Sequence, residues 1–228
     1  YIKYGGNTVT SLREVVSSTN YAFNNETISG GSAANGGNIY ASNPGADLYI
    51  KYSTISAGTA RYYGGGVYYY SSTSRTISIQ YSKINNNVSE YSAGGLYLAG
   101  GNTSSMLDVT FRDDYNNSRG IISNEAAING GGLYAVYCEI LFRTDFRVSG
   151  NELTSGTSSN GAGIYANNCI ITNNANTIPY GILDMSFNTG AGNGGAMYIY
   201  GGSANFERSG LSIYVNSIGG YLKHYRDR

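Results

Sequence analysis

Apolar and polar residues alternate with a period of two in short blocks along most of the chain. Leu48 and Ile50 belong to one block and Ile77 and Ile79 to the next, and such blocks end in Asn- or Gly-rich stretches. A period of two is typical of β-strands with one buried face, and Asn and Gly adopt the left-handed backbone conformations that tight turns need. The pattern therefore predicts an all-β protein built from short strands and turns.

A glycine–tyrosine signature divides the chain into repeats. It has the form Gly-Gly-x-apolar-Tyr, with small variations, and ends at Tyr40, Tyr68, Tyr97, Tyr134, Tyr165 and Tyr198. Successive tyrosines are 28, 29, 37, 31 and 33 residues apart. One such unit cannot enclose a core alone, whereas stacked units pair their strands in parallel. We therefore expect a parallel β-helix (β-solenoid) of roughly seven coils, with strands about 4.8 Å apart.

We expect a single domain over 1–228, with the repeats in 36–221 and an amino-terminal cap in 10–18. Ser11 followed three residues later by Glu14 is a capping-box pattern, and a short helix there would cover the unpaired strand edges of the first coil.

Two further expectations concern loops and the carboxyl end. The varying repeat length predicts insertions in loops at one corner, notably around Gly120 to Asn129. One more coil follows Tyr198, and another repeat begins at Gly219 but is cut short. We expect either that the natural chain continues or that this open end meets another molecule.

The amino end resembles a known family. The segment Thr8 to Val16 reads TVTSLREVV and is similar to the SLREA opening of many secreted right-handed parallel β-helices, with Val15 in place of the usual Ala. Ser82 to Asn87 and the glycine–tyrosine signatures resemble the S-x-I-x-x-N and GG-x-I-Y repeats of chlamydial polymorphic outer-membrane proteins. The resemblance covers most of the chain and implies a right-handed helix that is secreted or lies at a cell surface.

Composition and charge exclude several classes of protein. The 228 residues carry 14 Lys plus Arg against 14 Asp plus Glu, so no basic excess favours nucleic acid. No run approaches the ~18 apolar residues that would predict a membrane-spanning helix. The one histidine, His224, nearly excludes histidine-based catalysis.

The signature tyrosines alternate with apolar neighbours, so we expect them on the outer face as a ladder of six rungs. Such a strip is unusual on a monomer unless something covers it. Sugar rings or a neighbouring molecule could stack on it, since tyrosine offers a flat apolar face with a polar tip. The alternative is an intramolecular role, in which the stacked rings stabilise the sheet.

Two cysteines test the coil spacing. Cys138 and Cys169 are 31 residues apart, and each follows its signature tyrosine by four residues. Stacked coils would place them one above the other, at a separation that a disulfide accepts. The alternatives are a disulfide, which would indicate an oxidising compartment, and two buried thiols.

A second pair of matching positions carries charge. Arg112 and Arg143 are 31 residues apart, as are Asp114 and Asp145, so each pair should stack. Several pectin-cleaving β-helices use stacked acidic residues with calcium and a basic proton acceptor, and this resemblance makes the cluster the one candidate for catalysis. Asp113 would add a further hard oxygen ligand for calcium. The alternative, which we favour, is a functionally silent surface ladder of ion pairs.

Four Asn-x-Ser/Thr sequons are candidates for glycosylation, an expectation that depends on secretion. They begin at Asn25, Asn87, Asn102 and Asn116.

These features favour an extracellular structural solenoid without catalysis or a bound cofactor, either a self-assembling filament or coat subunit or a segment of a surface adhesin. Its expected partners are copies of itself, and glycans or a host or cell surface are possible ones. The alternative is a carbohydrate-binding or polysaccharide-cleaving β-helix, a polysaccharide lyase or hydrolase in the enzymatic case.

Overall fold

A computed structural model describes residues 2–4, 20–114, 118–155, 158–173, 182–206 and 210–216. The predicted cap over 10–18 and the last repeat from Gly219 onward lie outside these residues. The side chains of Ile2–Tyr4, Gly210 and Tyr214 are likewise not described.

Within the described ranges the chain forms 24 strands and no α-helix. In chain order the strands are β1 Ile2–Tyr4, β2 Asn20–Asn24, β3 Thr27–Ser29, β4 Ser32–Asn35, β5 Ile39–Ser42, β6 Asp47–Lys51, β7 Thr54–Ser56, β8 Thr59–Tyr63, β9 Val67–Ser71, β10 Thr76–Gln80, β11 Lys83–Asn85, β12 Val88–Ser89, β13 Leu96–Gly100, β14 Leu107–Arg112, β15 Gly120–Ile122, β16 Glu125–Ala126, β17 Leu133–Val136, β18 Cys138–Arg143, β19 Phe146–Ser149, β20 Glu152–Leu153, β21 Ile164–Asn173, β22 Ile182–Ser186, β23 Met197–Asn205 and β24 Gly210–Tyr214.

Each strand pairs with its counterpart in the next coil, which produces four stacks. Stack A contains β5, β9, β13, β17 and the first halves of β21 and β23, and stack B contains β2, β6, β10, β14, β18 and the second halves of β21 and β23. Stack C contains β3, β7, β11, β15, β19, β22 and β24, and stack D contains β4, β8, β12, β16 and β20. All pairs within the stacks are parallel, and β1 alone, among the described strands, pairs antiparallel, with β5.

The chain is therefore an all-β parallel β-solenoid, as the repeat pattern predicts, and the described residues form about six turns of it. The solenoid begins earlier than the first glycine–tyrosine signature, because β2 to β4 already pair with the following coil. The predicted insertion around Gly120 to Asn129 is wrong: Gly120–Ile122 and Glu125–Ala126 are ordinary coil strands. The extra residues of the 37-residue repeat fall instead in the connections before and after β14.

The core is filled by the inward-facing residues of stacks A, B and C. In β14 and β18 the alternating inward positions hold apolar side chains that are essentially inaccessible to solvent, and Phe111 stacks on Phe142 with ring centroids 5.2 Å apart. Stack C contributes a column of apolar residues, of which Ile55, Ile84 and Ile121 pair directly, and its last coils bury two such residues each, as in β22 with Leu183 and Met185. The alternation with period two thus places the apolar residues of each strand inside the solenoid and the intervening residues on its outer surface.

A ladder of buried asparagines lines the turn between stacks C and D. Its members, one per coil, are Asn38, Asn87, Asn124, Asn151, Asn188 and Asn216. Each side-chain amide donates to the oxygen of the next, as from Asn87 Nδ2 to Asn124 Oδ1 over 2.9 Å. The same Asn124 amide donates to Ile84 O and accepts the Asn87 backbone N–H, so its donors and acceptor are paired. Satisfying buried amides in this way offsets the cost of removing them from water.

In one coil the asparagine of the ladder comes from a different position in the sequence repeat. Gly58 occupies the place where the next coil has Asn87, and a Cβ there would lie 2.5 Å from the Asn38 amide nitrogen. Asn38 comes from the glycine–tyrosine signature, at the position where the following signature has Gly66. A Cβ on Gly66 would in turn lie 2.9 Å from the Asn87 amide nitrogen. The asparagine and the glycine have therefore exchanged places, and the ladder continues through both coils.

We predict that Asn124→Ala lowers the free energy of unfolding by about 3–5 kcal/mol, because several buried polar groups of neighbouring coils lose their partner. Urea unfolding followed by circular dichroism measures this. The matched control is Asn102→Ala, at an exposed loop position, which should cost less than about 1 kcal/mol. Equal losses for the two variants would contradict a stabilising ladder.

Candidate functional site

The six signature tyrosines stack on one another along the outer side of stack A. Their strands align them in register, and the rings of adjacent coils are 4.6–5.6 Å apart between centroids. The planes differ by only 2–21°, so the rings lie nearly parallel. We call Tyr40, Tyr68, Tyr97, Tyr134, Tyr165 and Tyr198 the tyrosine ladder.

The surroundings of the tyrosine ladder change along its length. Near the middle, Tyr63 packs against Tyr97 at 4.9 Å and meets Tyr91 edge-on at 5.5 Å. Toward the carboxyl end, bridges between coils place Asn129, Asn160 and Asn193 at the position that Tyr63 holds in its coil. Their amides form a row, in which Asn160 Nδ2 donates to Asn129 Oδ1 and Asn193 Nδ2 donates to Asn160 Oδ1. The ladder therefore has an aromatic flank in its first half and an amide flank in its second.

The stacking decides which part of each ring can meet another molecule. A ring inside the ladder has a neighbour on both faces, so its edge and hydroxyl are what it presents outward. Burial raises the pKa of Tyr134 to about 12, and burial with neighbouring tyrosines also raises the pKa of Tyr97. The interior rungs of the ladder thus present neutral hydroxyl groups. Stacking of sugar rings on the faces of the interior rungs, one of the two roles considered above, is not compatible with this geometry.

Cys138 and Cys169 lie on adjacent coils and are free, buried thiols in the structure. The Cys138 thiol donates to Val136 O at 3.3 Å, and the Cys169 thiol donates to Asn167 O at 3.4 Å. Burial raises the pKa of Cys138 well above its ordinary value. The arrangement is that of two small core residues, and the disulfide stays a prediction.

The charged residues at the corner between stacks B and C do not form the alternating ladder. Arg112 and Arg143 are direct register partners in β14 and β18, but no ion pair among the described residues includes either of them. Asp114 pairs instead with Arg119 at 2.8 Å, within its own loop. Asp145 accepts the Ile182 backbone N–H at 2.6 Å. The expected stacking of Arg112 on Arg143 is confirmed, but the ion pairs among the described residues include neither arginine, so the expected ladder of ion pairs is not formed there.

Asp113 is the carboxyl with the most perturbed surroundings at this corner. Its side chain is 4 % exposed, and burial raises its pKa to about 6, with Arg119 at 3.5 Å acting in the opposite direction. The Asp113 backbone carbonyl accepts a hydrogen bond from the Thr144 hydroxyl on the next coil. A carboxyl of this kind can hold a proton near neutral pH.

Calcium would need several oxygen ligands around one point. Among the residues that the structure describes, no three acidic, histidine or cysteine side chains come together in this way. Asp113 and Asp114 are bound to Arg119, while Asp145 is engaged by a backbone amide.

Three of the four candidate glycosylation sites lie in the described part of the chain. Asn25 and Asn102 are exposed, and Asn116 lies outside the described residues. Asn87 is fully buried, and its amide nitrogen donates to Ile55 O and Asn124 Oδ1. A glycan on Asn87 is incompatible with the asparagine ladder, so this candidate is corrected.

The sequence reasoning missed two features of the outer surface. Tyr52 stacks on Tyr81 with centroids 5.0 Å apart at the corner after stack B, and Arg112 lies 5.5 Å over the Tyr81 ring. The outward positions of stack B also carry acidic residues at one edge and basic residues at the other. The sequence did contain a signal for the second feature, because an acidic and a basic residue lie four positions apart within the alternating segments that form β6, β14 and β18.

Comparisons with protein-family models, with curated proteins and with solved structures found no match to this chain. Among the described residues, none forms a helix long and apolar enough to cross a membrane.

We predict that Tyr97→Leu lowers the free energy of unfolding by about 1–3 kcal/mol, because Tyr97 contacts Tyr68, Tyr134 and Tyr63 and each aromatic pair contributes about 0.5–1.5 kcal/mol. Tyr97→Phe keeps the stacking and should unfold close to the wild type in urea. If Tyr97→Leu were as stable as Tyr97→Phe, the rings would not stabilise one another.

We also predict a pH-dependent effect of Asp113→Asn. Because burial raises the folded-state pKa of Asp113 from 3.8 to about 6, its stabilising contribution is fully present below pH 4 and is lost as the pH rises through 6. The wild type should therefore lose up to about 3 kcal/mol relative to Asp113→Asn between pH 4 and pH 7.

Urea unfolding at several pH values measures this difference. Asp114→Asn is the matched control, since it removes a carboxylate from the same corner and leaves Asp113 in place, so most of the slope should remain. A difference between wild type and Asp113→Asn that does not change with pH would contradict a raised pKa.

Proposed function

We propose that this chain is part of an extracellular structural β-solenoid, secreted or held at a cell surface, that works as a self-assembling filament or coat subunit or as a segment of an adhesin. The tyrosine ladder is the observation that carries the proposal. It runs through six successive rungs on one side of the solenoid, so it offers a partner the same contact at every coil.

Neutral hydroxyls and ring edges are groups that typically form contacts between proteins, and they are not the groups that usually carry out catalysis. Tyrosine combines a large apolar area with a polar tip and is enriched where proteins meet. Exposed tyrosines elsewhere extend this character, since Tyr62 and Tyr91 are 43 % and 44 % exposed beside the middle of the ladder. In this proposal Asp113 is a structural carboxyl, and the chain needs neither a cofactor nor a catalytic group.

The finer features of the fold belong to the same proposal. We propose that the solenoid is right-handed, as parallel strand connections generally are, with roughly seven coils and a short amino-terminal capping helix over 10–18. The resemblance of the SLREV segment and of the repeats to secreted β-helices, including the chlamydial polymorphic outer-membrane proteins, supports this assignment. Glycans on the exposed Asn25 and Asn102, and on Asn116, are consistent with secretion.

The second candidate function is carbohydrate binding, with polysaccharide cleavage as its enzymatic form. The amide flank favours it, because Asn129, Asn160 and Asn193 form a hydrogen-bonded row of amides five residues before Tyr134, Tyr165 and Tyr198 in their coils. Such a row of donors and acceptors could bind the hydroxyls of a polysaccharide along the solenoid.

We predict that the purified chain forms oligomers that grow with protein concentration, detectable by sedimentation velocity and negative-stain electron microscopy. Replacing Tyr68, Tyr134 and Tyr165 together by Phe keeps the stacked rings and removes three hydroxyls, so association should weaken about tenfold while the fold persists. Tyr52→Phe, at the corner after stack B and outside the ladder, is the matched control and should leave association unchanged.

A chain that stays monomeric at every concentration but is retained on an insoluble polysaccharide would overturn self-assembly in favour of carbohydrate binding. Release of shorter or unsaturated sugars from that polysaccharide would establish the enzymatic form.

A further inference from the structure

The outward side of stack B has an unusual arrangement of charge. In three of its strands the first outward residue is acidic and the third, four residues later, is basic. These pairs are Asp47 and Lys51 in β6, Asp108 and Arg112 in β14, and Glu139 and Arg143 in β18. Two further strands lack both charges, since β2 has asparagine at both places and β10 has Thr76 and Gln80. In β21 and β23 the acidic position holds Ile170 and Ser203, and the basic position lies outside the described residues. Acid and base therefore vary together in the first five coils of the stack.

Within one chain these charges cannot neutralise one another. Four residues of extended strand separate acid from base by about 13 Å, which is far beyond an ion pair. The direct neighbours across the coils are like charges, Asp108 beside Glu139 and Arg112 beside Arg143. Like charges directly opposite on adjacent strands are destabilising. Among the described residues no ion pair includes any of these four side chains, and all four are exposed.

The strip between the acidic and basic columns carries no charge. Its outward residues include Tyr49, Thr110 and Leu141, which are half-buried, and Ser78, which is buried. Protein interfaces commonly have this composition, with an uncharged centre and a charged rim.

We propose that the outward side of stack B binds a second copy of this chain, face to face, about a two-fold axis parallel to the solenoid axis. This inference rests on the self-association proposed above and names one of its contact surfaces. Such an axis exchanges the two edges of the face and leaves each coil at its own level. Asp108 then meets Arg112 of the second copy, and Glu139 meets its Arg143, and by symmetry each contact occurs twice.

The charges also select this axis over the other face-to-face arrangement. A two-fold axis running along the strands would leave the edges in place, so acidic column would meet acidic column and basic would meet basic. That arrangement adds repulsion to the like-charge contacts already present within each chain. The parallel axis instead brings an opposite charge to each of them, so the second copy relieves a repulsion that the single chain cannot.

The size and exposure of the face indicate a weak and salt-sensitive contact. Five residues of strand width over about six coils give a strip of roughly 15 by 30 Å, smaller than a stable interface requires. Its ion pairs lie at the rim, where salt screens them. We therefore expect pairing at low salt that disappears as the Debye length falls from about 30 Å at 0.01 M to about 3 Å at 1 M.

Charge reversal at single positions provides the first test, with the pairing constant measured by sedimentation equilibrium at low salt. Asp108→Arg and Arg112→Asp should each weaken pairing about tenfold or more, because each substitution creates two like-charge contacts per dimer. Glu125→Lys, at an exposed acidic position of stack D, is the matched control and should leave pairing unchanged.

Combined variants test the symmetry itself. The double variant Asp108→Arg with Arg112→Asp exchanges the two charges, so pairing should return to near the wild-type constant. In a second arrangement, a chain with Lys51, Arg112 and Arg143 all changed to Glu is mixed with a chain with Asp47, Asp108 and Glu139 all changed to Lys. Each should be monomeric alone, and the mixture should form a one-to-one complex. Circular dichroism checks that every variant is folded.

The outcomes separate this inference from the proposed function. Association that persists unchanged in the single variants, or a double variant that fails to recover, overturns pairing through stack B and leaves self-assembly through other surfaces intact. A wild-type chain that is monomeric at all concentrations and salt conditions overturns both this pairing and self-assembly, and leaves the adhesin form of the proposed function. Recovery in the double variant, together with complex formation between the two triple variants, would establish the face and its two-fold axis.

Discussion

Parallel hydrogen bonding between successive coils is the constraint on which every other feature of this molecule depends. Because the backbone of one coil pairs residue for residue with the next, each side chain lies about 4.8 Å from the side chain at the same position of its neighbour. Where the repeat is regular, each side chain therefore mainly contacts side chains of the same type in the coils above and below. The consequences differ sharply between apolar, amide, aromatic and charged side chains.

Apolar and amide side chains satisfy this constraint in complementary ways. Isoleucine against isoleucine simply continues the core. An asparagine amide has both a donor and an acceptor along the stacking direction, so Asn87 can donate to Asn124 while it accepts from Asn38. The exchange of Asn38 with Gly58 shows how strictly the ladder is maintained, because the amide reaches the same place from a different strand position. Tyrosines stack with the offset and tilt that aromatic rings accept.

Much of the fold was predictable from the sequence, because period two and the glycine–tyrosine signature report the same constraint. The positions of Tyr97 and Arg112 relative to their counterparts followed from repeat spacing alone. Features that depend on contacts within a coil did not follow. Nothing in the spacing indicates that Arg119 binds Asp113 and Asp114, or that a glycosylation sequon at Asn87 is also a rung of the buried ladder. The position of the extra residues in the connections around β14 was also not predictable, because the length of a repeat does not show which of its loops is longer.

Charge is the one property that translation from coil to coil cannot satisfy. The image of an arginine under that translation is another arginine, so Arg112 and Arg143 oppose each other where two amides would bond. A charge of opposite sign can come from the same loop, as Asp114 does for Arg119, or from a different residue at the matching position of the next coil, as Asp184 does for Arg147. Where the repeat is exact, it has to come from an operation other than translation. A two-fold axis is such an operation, since it relates the acidic edge of a strand to the basic edge of the same strand in another copy. In β6, β14 and β18 an acid and a base occur together, and this symmetry would give each of them a partner of opposite sign, which no ion pair among the described residues supplies.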